Sequence, residues 1–383
     1  MDQIQKLPKV DLHCHLDGSL HMEFLRSVSG LSSEELIDAA QVKNKECNNL
    51  SEYLKKFVLP ISCLMTADNI RKASYMFIKS LVPDNVKYVE VRFSPALLES
   101  EELHARDIIE CVISGLERGY QDYSIRSNVI ICAMRHYPAE KNMRIFKLAK
   151  EYLGHGVCAV DLAGNEAKFP MYLFRDLFSF AKCEKIPFTI HAGECGNSEN
   201  IREAIELGAR RIGHGIAMRG DTKLQTLCRD RHIGVEMCPI SNFQTTAVKS
   251  FDDYPIWEFI NNRLQVTINT DNRTVSNTTL WKEFSLLHMH YGLMHDDFVS
   301  LTQTSVYKGY KQDKIEMRGD RAEMSDFPLY LNTVAGGLDC RNQAIGGFSF
   351  VVKIYALPVV EIIGQLLYLL GRYGFNTQFG DCL

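Results

Sequence analysis

The chain has 383 residues, 46% of them hydrophobic and 23% charged, enough to bury one large domain or two modest ones. Its net charge of −4 and the absence of a long basic run exclude the electrostatic footprint of a nucleic-acid binder or of a protein held on an acidic membrane, so a small-molecule substrate is expected. The polar first ten residues lead straight into a strand and leave no room for a signal peptide's apolar segment, which predicts a cytoplasmic protein.

In chain order, short apolar runs rich in Val and Ile alternate with helical stretches. The runs are Lys9–Leu16, Val86–Pro95, Arg126–Met134, Val157–Gly164, Ile186–Glu194, Arg211–Gly215, His232–Ser241 and Gln265–Asn272. Helices follow them, such as Met171–Cys183 after the fourth and Asn200–Leu207 after the fifth. Eight buried strands alternating with helices predict an α/β protein, a (β/α)8 TIM barrel. A doubly wound open sheet would favour a Gly-rich phosphate loop after an early strand, and no G-x-G-x-x-G or Walker sequence occurs. The connection from Gly18 to Asn85 is a long insertion after strand one. It carries Leu54, Phe57, Val58 and Ile61 at helical spacing, which periodicity alone reads as core and position reads as a candidate lid over the barrel mouth. The twelve cysteines form no C-x-x-C pair, the pattern of reduced buried thiols.

Catalytic groups of such barrels gather at the C-terminal ends of the strands. Strand one ends with His13, His15 and Asp17. Alternation places the two histidines on one face and turns Cys14 away. Strand five ends with His191-Ala192-Gly193-Glu194, strand six with Gly213-His214-Gly215, and strand eight with Asn269-Thr270-Asp271-Asn272. An isolated His-x-His is weak evidence, but four distant segments bringing nitrogen and oxygen donors to one mouth, with a histidine and a carboxylate to spare, suit a catalytic zinc that keeps a position open for water. Duller readings stand beside these: Glu194 as a helix cap, Asp271 as a turn residue, Gly164 as a tight-turn glycine. His288, His290 and His295 are read as a solvated helix face.

The motifs Leu-His-Cys-His-Leu-Asp-Gly-Ser, Asp161-Leu162-Ala163-Gly164, His191-Ala192-Gly193-Glu194, Gly213-His214-Gly215, Cys238-Pro239-Ile240-Ser241-Asn242 and Asn269-Thr270-Asp271 together resemble the adenosine deaminase family of the amidohydrolase superfamily, from about Leu7 to about Val306. The resemblance implies zinc on His13, His15, His191 and Asp271, a proton shuttle at Glu194, and a His214 that orients the attacking water. It implies substrate contacts from Asp17 to the ribose 5′-hydroxyl, from the Gly164 N–H to purine N3 and from Asn272 to N7, with His15 also against the substrate. One zinc per chain is implied, since strand four offers no lysine to carry a second metal. The implied reaction is hydrolytic deamination of adenosine and 2′-deoxyadenosine to inosine and ammonia, in purine salvage. The chemistry asks for the same residue types. Zinc brings the pKa of a bound water to about 7. Attack at C6 of adenine then needs N1 protonated, by a carboxyl group worth about 10²–10⁴-fold.

Asp17 would repel the 5′-phosphate of AMP. Adenine is the competing substrate, and a catalytically impaired nucleoside-binding barrel the competing class. Two departures from the family are visible. Asn272 stands where many members carry a second aspartate, and Tyr307–Leu383 does not align. The expected domains are therefore a deaminase barrel over 1–306 and an atypical C-terminal segment over 307–383. The apolar Phe348–Phe375 stretch within that segment is interrupted by Lys353, Pro358, Glu361, Gln365 and Arg372, too often for a membrane helix.

Overall fold

The computed structural model describes residues 2–43, 47–195 and 197–310. Eight parallel strands run in chain order: β1 Lys9–His15, β2 Val86–Phe93, β3 Arg126–Met134, β4 Val157–Ala163, β5 Thr189–Ala192, β6 Arg211–His214, β7 Gly234–Met237 and β8 Gln265–Ile268. They pair in two ladders, β1-β2-β3-β4 and β5-β6-β7-β8. Single parallel bridges, Val160↔Phe188 and Cys14↔Asp271, join the ladders on both sides and complete the ring. At the second bridge His15 N donates to Asp271 O at 2.7 Å and Asp271 N to His13 O at 2.8 Å.

Each strand lies within its predicted run, but several are shorter. The expected Ile186–Glu194 contracts to Thr189–Ala192 because Pro187 has no N–H for the ladder and Gly193 turns to φ 77°. The expected His232–Ser241 contracts to Gly234–Met237, since His232 is left-handed and a helix opens at Pro239. The expected helix Met171–Cys183 begins as a 3-10 turn, Met171–Phe174, before the α-helix Arg175–Cys183.

Within the insertion after β1, Ala67–Leu81 is the crossover helix returning to β2. It packs on Ala105–Tyr123 closely enough that a Cβ at Gly115 would lie 2.5 Å from the Arg71 carbonyl, so only glycine fits there. The remaining short helices, Met22–Ser29 to Val58–Ser62, form the excursion over the mouth. The helix His295–Lys308 contains the expected boundary after 306. Beyond it Tyr310 is buried under the barrel, its N–H on Glu90, its hydroxyl on the Phe188 carbonyl and its ring 4.0 Å from the Arg211 guanidinium. The rest of the expected C-terminal segment, Phe348–Phe375 included, lies outside the described residues. Among the described residues no helix is long and apolar enough to cross a membrane.

Candidate active site

Four predicted ligands meet at the mouth. His13, His15, His191 and Asp271 each offer one donor atom, all within 4.8 Å of one another. His15 Nε2 lies 3.1 Å from His191 Nε2, and Asp271 Oδ1 lies 3.4 Å from His13 Nε2 and 3.5 Å from His15 Nε2. Donors bound at 2.0–2.1 Å around a tetrahedral ion would be about 3.3–3.4 Å apart, so these spacings suit a small cation. The far side of two rings is already committed. His13 Nδ1 sits 2.7 Å from Glu236 Oε2 and His191 Nδ1 sits 2.9 Å from Asp161 Oδ2, which makes Nδ1 the protonated atom and leaves Nε2 a lone pair. His13 Nε2 is buried with no hydrogen-bond partner. Lone pairs and a carboxylate held this close repel unless a cation lies between them, and the donor set therefore fits a divalent N/O-ligated metal. Burial lowers the pKa of His15 and His191, keeping both rings in the neutral form that coordinates.

Local backbone explains the aim of two groups at this mouth. His214 ends β6 and Asp271 follows β8, both in the left-handed region, at φ 65° and 57°, a conformation costly for residues with a Cβ. The turn carries each side chain inward, and the β1–β8 bridge and the Ser241 hydroxyl, 2.6 Å from Asp271 Oδ2, hold Asp271 there.

Around this cluster lies a cavity of about 200 Å³. His15, His191, His214, Glu194, Asp271, Asn272 and Asp17 form its polar part, with Gly164 and an apolar wall that includes Leu97 and Met134. Leu54, Phe57 and Ile61 line it as the lid reading expects, but Val58 does not. Val58 is 72% exposed, because it follows Phe57 by about 100° around the helix and points outward. Leu50 and Tyr53, one turn earlier, take the place that the sequence reading missed. A larger groove, about 570 Å³, beside His104 and Lys147 is open to solvent and gathers none of this chemistry.

Glu194 is buried 3.7 Å from His214 Nε2, and burial, followed by the charges of Asp271 and Glu166, pushes its carboxyl well above the usual carboxylate range. Its backbone is clamped by Glu166, whose carboxylate accepts from Gly193 N at 2.9 Å and Cys195 N at 2.7 Å. The Asn242 amide donates to His214 Nδ1 at 2.9 Å, leaving the Nε2–H to face Glu194. Asp17 has a buried oxygen without a partner, and burial raises its pKa to about 6. Asn272 likewise has an unpartnered Oδ1, and it packs so closely on Gly18 that any Cβ there would overlap its amide. Gly164 adopts φ 107° with only ordinary contacts around a Cβ, so conformation rather than space requires glycine.

The family model for adenosine deaminase matches residues 8–318. An adenosine deaminase from Enterococcus faecalis is 40% identical over 310 residues, 79% of this chain and 92% of that protein. The chain belongs to the adenosine deaminase family. Among solved structures, the N6-methyl-AMP deaminase of Arabidopsis thaliana superposes with a TM-score of 0.72 at 25% identity, covering 82% of this chain and 96% of that one. An amidohydrolase from Burkholderia ambifaria with bound zinc shares the fold, with a TM-score of 0.75 at 19% identity over 87% and 94% of the two chains. In this family setting, Asp161, Arg92, Glu166, Glu236, Ser241 and Asn242 are the residues that sequence reasoning left without roles. Asp161, Ser241 and Asn242 stood inside recognised motifs. Nothing in the spacing of Arg92, Glu166 or Glu236 singled them out.

Proposed function

We propose that this chain is a zinc-dependent adenosine deaminase acting on adenosine and 2′-deoxyadenosine, a step of purine salvage. The observation that carries the reading is a four-donor cluster at a cavity that also holds a buried Glu194 and a neutral His214 and that, among the described residues, no lysine or arginine lines. His13, His15, His191 and Asp271 would hold the metal. Bound there, zinc supplies Lewis acidity that makes water nucleophilic near neutral pH.

The chain's own groups do the rest. Glu194, kept protonated by burial, gives its proton to purine N1 as oxygen adds at C6, and receives one from the attacking water. That proton goes to the departing amine, and the proton left on the new C6 oxygen returns to Glu194 as the carbonyl forms. The His214 Nε2–H steadies the oxygen and the tetrahedral centre. Asp17 accepts from the ribose 5′-hydroxyl, the Gly164 N–H meets N3, and the Asn272 amide N–H donates to neutral N7, whereas an aspartate there would accept from N7 only when N7 is protonated. Leu54, Phe57 and Ile61 cover the nucleoside. Asp17 and the absence of lysine and arginine from the wall among the described residues favour a nucleoside over a nucleotide.

The test is the ultraviolet change of adenosine, AMP and adenine with purified protein, before and after chelation and zinc readdition. Zinc-dependent loss of the adenosine spectrum alone is expected. A preference for adenine or AMP, or inertness of folded, zinc-loaded protein toward all three, would overturn it.

A further inference from the structure

Below the donor cluster, one guanidinium joins two of the side chains that aim it. Arg92, on β2, is wholly buried. Its Nη1 donates at 2.8 Å to Asp161 Oδ2, the oxygen that lies 2.9 Å from His191 Nδ1. Its Nη2 donates at 2.9 Å to Glu236 Oε2, the oxygen that lies 2.7 Å from His13 Nδ1, and at 2.6 Å to the backbone carbonyl of Leu12 beside that histidine. The carboxylates come from β4 and β7 and the imidazoles from β5 and β1, so one planar group ties four other strands together.

We infer that Arg92 is a positioning residue of the metal centre: by bridging Asp161 and Glu236 it fixes the Nε2 atoms of His13 and His191 toward one point. The inference rests on the metal-centre reading above. Each carboxylate orients one imidazole, and partners of this kind typically govern metal affinity by 10–100-fold. Without Arg92, Asp161 would lose the guanidinium that offsets its charge and Glu236 would keep only Arg211 on its other oxygen, and both would be freer to turn away from the rings. A lysine keeps the charge but not the rigid fork that reaches both oxygens. Arg211 is the natural control. It is as deeply buried, but among the described residues its bonds run to Glu236 Oε1, Glu90 and the carbonyls of Lys308 and Leu12, leaving Asp161 untouched.

The experiment is a zinc titration of the metal-stripped full chain against a chromogenic chelator, with the visible spectrum of the cobalt-loaded protein as a second readout and circular dichroism as the check on folding. Arg92→Lys should raise the zinc dissociation constant about 10–100-fold and shift the cobalt spectrum, whereas Arg211→Lys should stay within about threefold. An Arg92→Lys protein within about threefold of wild type with an unchanged cobalt spectrum would overturn the inference, as would an equal loss in Arg211→Lys. Should Arg92→Lys fail to fold, Asp161→Asn and Glu236→Gln singly and together carry the test. Losses coupled through a shared bridge are non-additive, and additive losses count against it. A wild-type chain that binds no zinc would instead sink the metal-centre reading itself.

Discussion

At the N-terminal end of the barrel, Arg211 lies 2.7 Å from Glu90 and 2.5 Å from Glu236, Tyr88 donates to Glu90 at 2.9 Å, and the Tyr310 ring closes over the arginine. At the C-terminal end, the same kinds of group stand equally buried, but His13 Nε2, Asp17 Oδ1 and Asn272 Oδ1 have no partner, and His214 and Asp271 hold left-handed backbone. Burial does not tell the two ends apart. Pairing of opposite charges does: at the floor Arg211 answers Glu90 and Glu236, whereas Asp17 at the mouth lines the cavity with no cation of the described residues against it.

The strongest way to break this contrast is to strip the metal. Chelation should abolish deamination and zinc should restore it, with the far-ultraviolet circular dichroism retained. Activity surviving a verified loss of metal would refute the contrast. Glu194→Gln comes next: kcat should fall about 10²–10⁴-fold while metal analysis finds zinc still bound. At the other end Arg211→Met should cost about 3–5 kcal/mol of stability in urea denaturation, because it takes the cation from buried Glu90 and leaves Glu236 only Arg92. The kcat of its folded fraction should change little, and a large fall in kcat would mean that the floor is not separate from the mouth. The smallest effect concerns Asp17. Asp17→Asn should raise KM about tenfold, by the loss of a charge-assisted hydrogen bond. Since burial raises the Asp17 pKa to about 6, the carboxylate is ionised only above that value. Wild-type KM should therefore climb as pH falls through 6, and the climb should be absent in Asp17→Asn.

Much of the barrel was legible because strands of a closed parallel sheet are buried on both faces and read as apolar runs. Strand ends were overread because residues such as Glu194 and Asp271 lie past the last ladder pair of their strands while following the same apolar runs. The four candidate donors were legible through alternation at His13 and His15 and through their place at strand ends. Arg92, Glu90 and Glu236 escaped for the opposite reason. On an isolated strand a charged residue between apolar ones looks like a solvated face, and only closure of the ring turns those positions inward. Val58 failed for a local reason, since helical spacing names a stripe but not which neighbour at its margin turns outward.

The bridge that closes the ring between β1 and β8 also has a consequence in time. Asp11 and Thr270, hydrogen-bonded at that closure, lie 259 positions apart. At synthesis rates of about 5–20 residues per second, the ribosome makes the first two histidines of the donor cluster roughly 13 to 50 seconds before the aspartate that completes it. A nascent chain therefore presents His13 and His15 long before the four-donor cluster can form, and the cluster is complete only once the last strand docks.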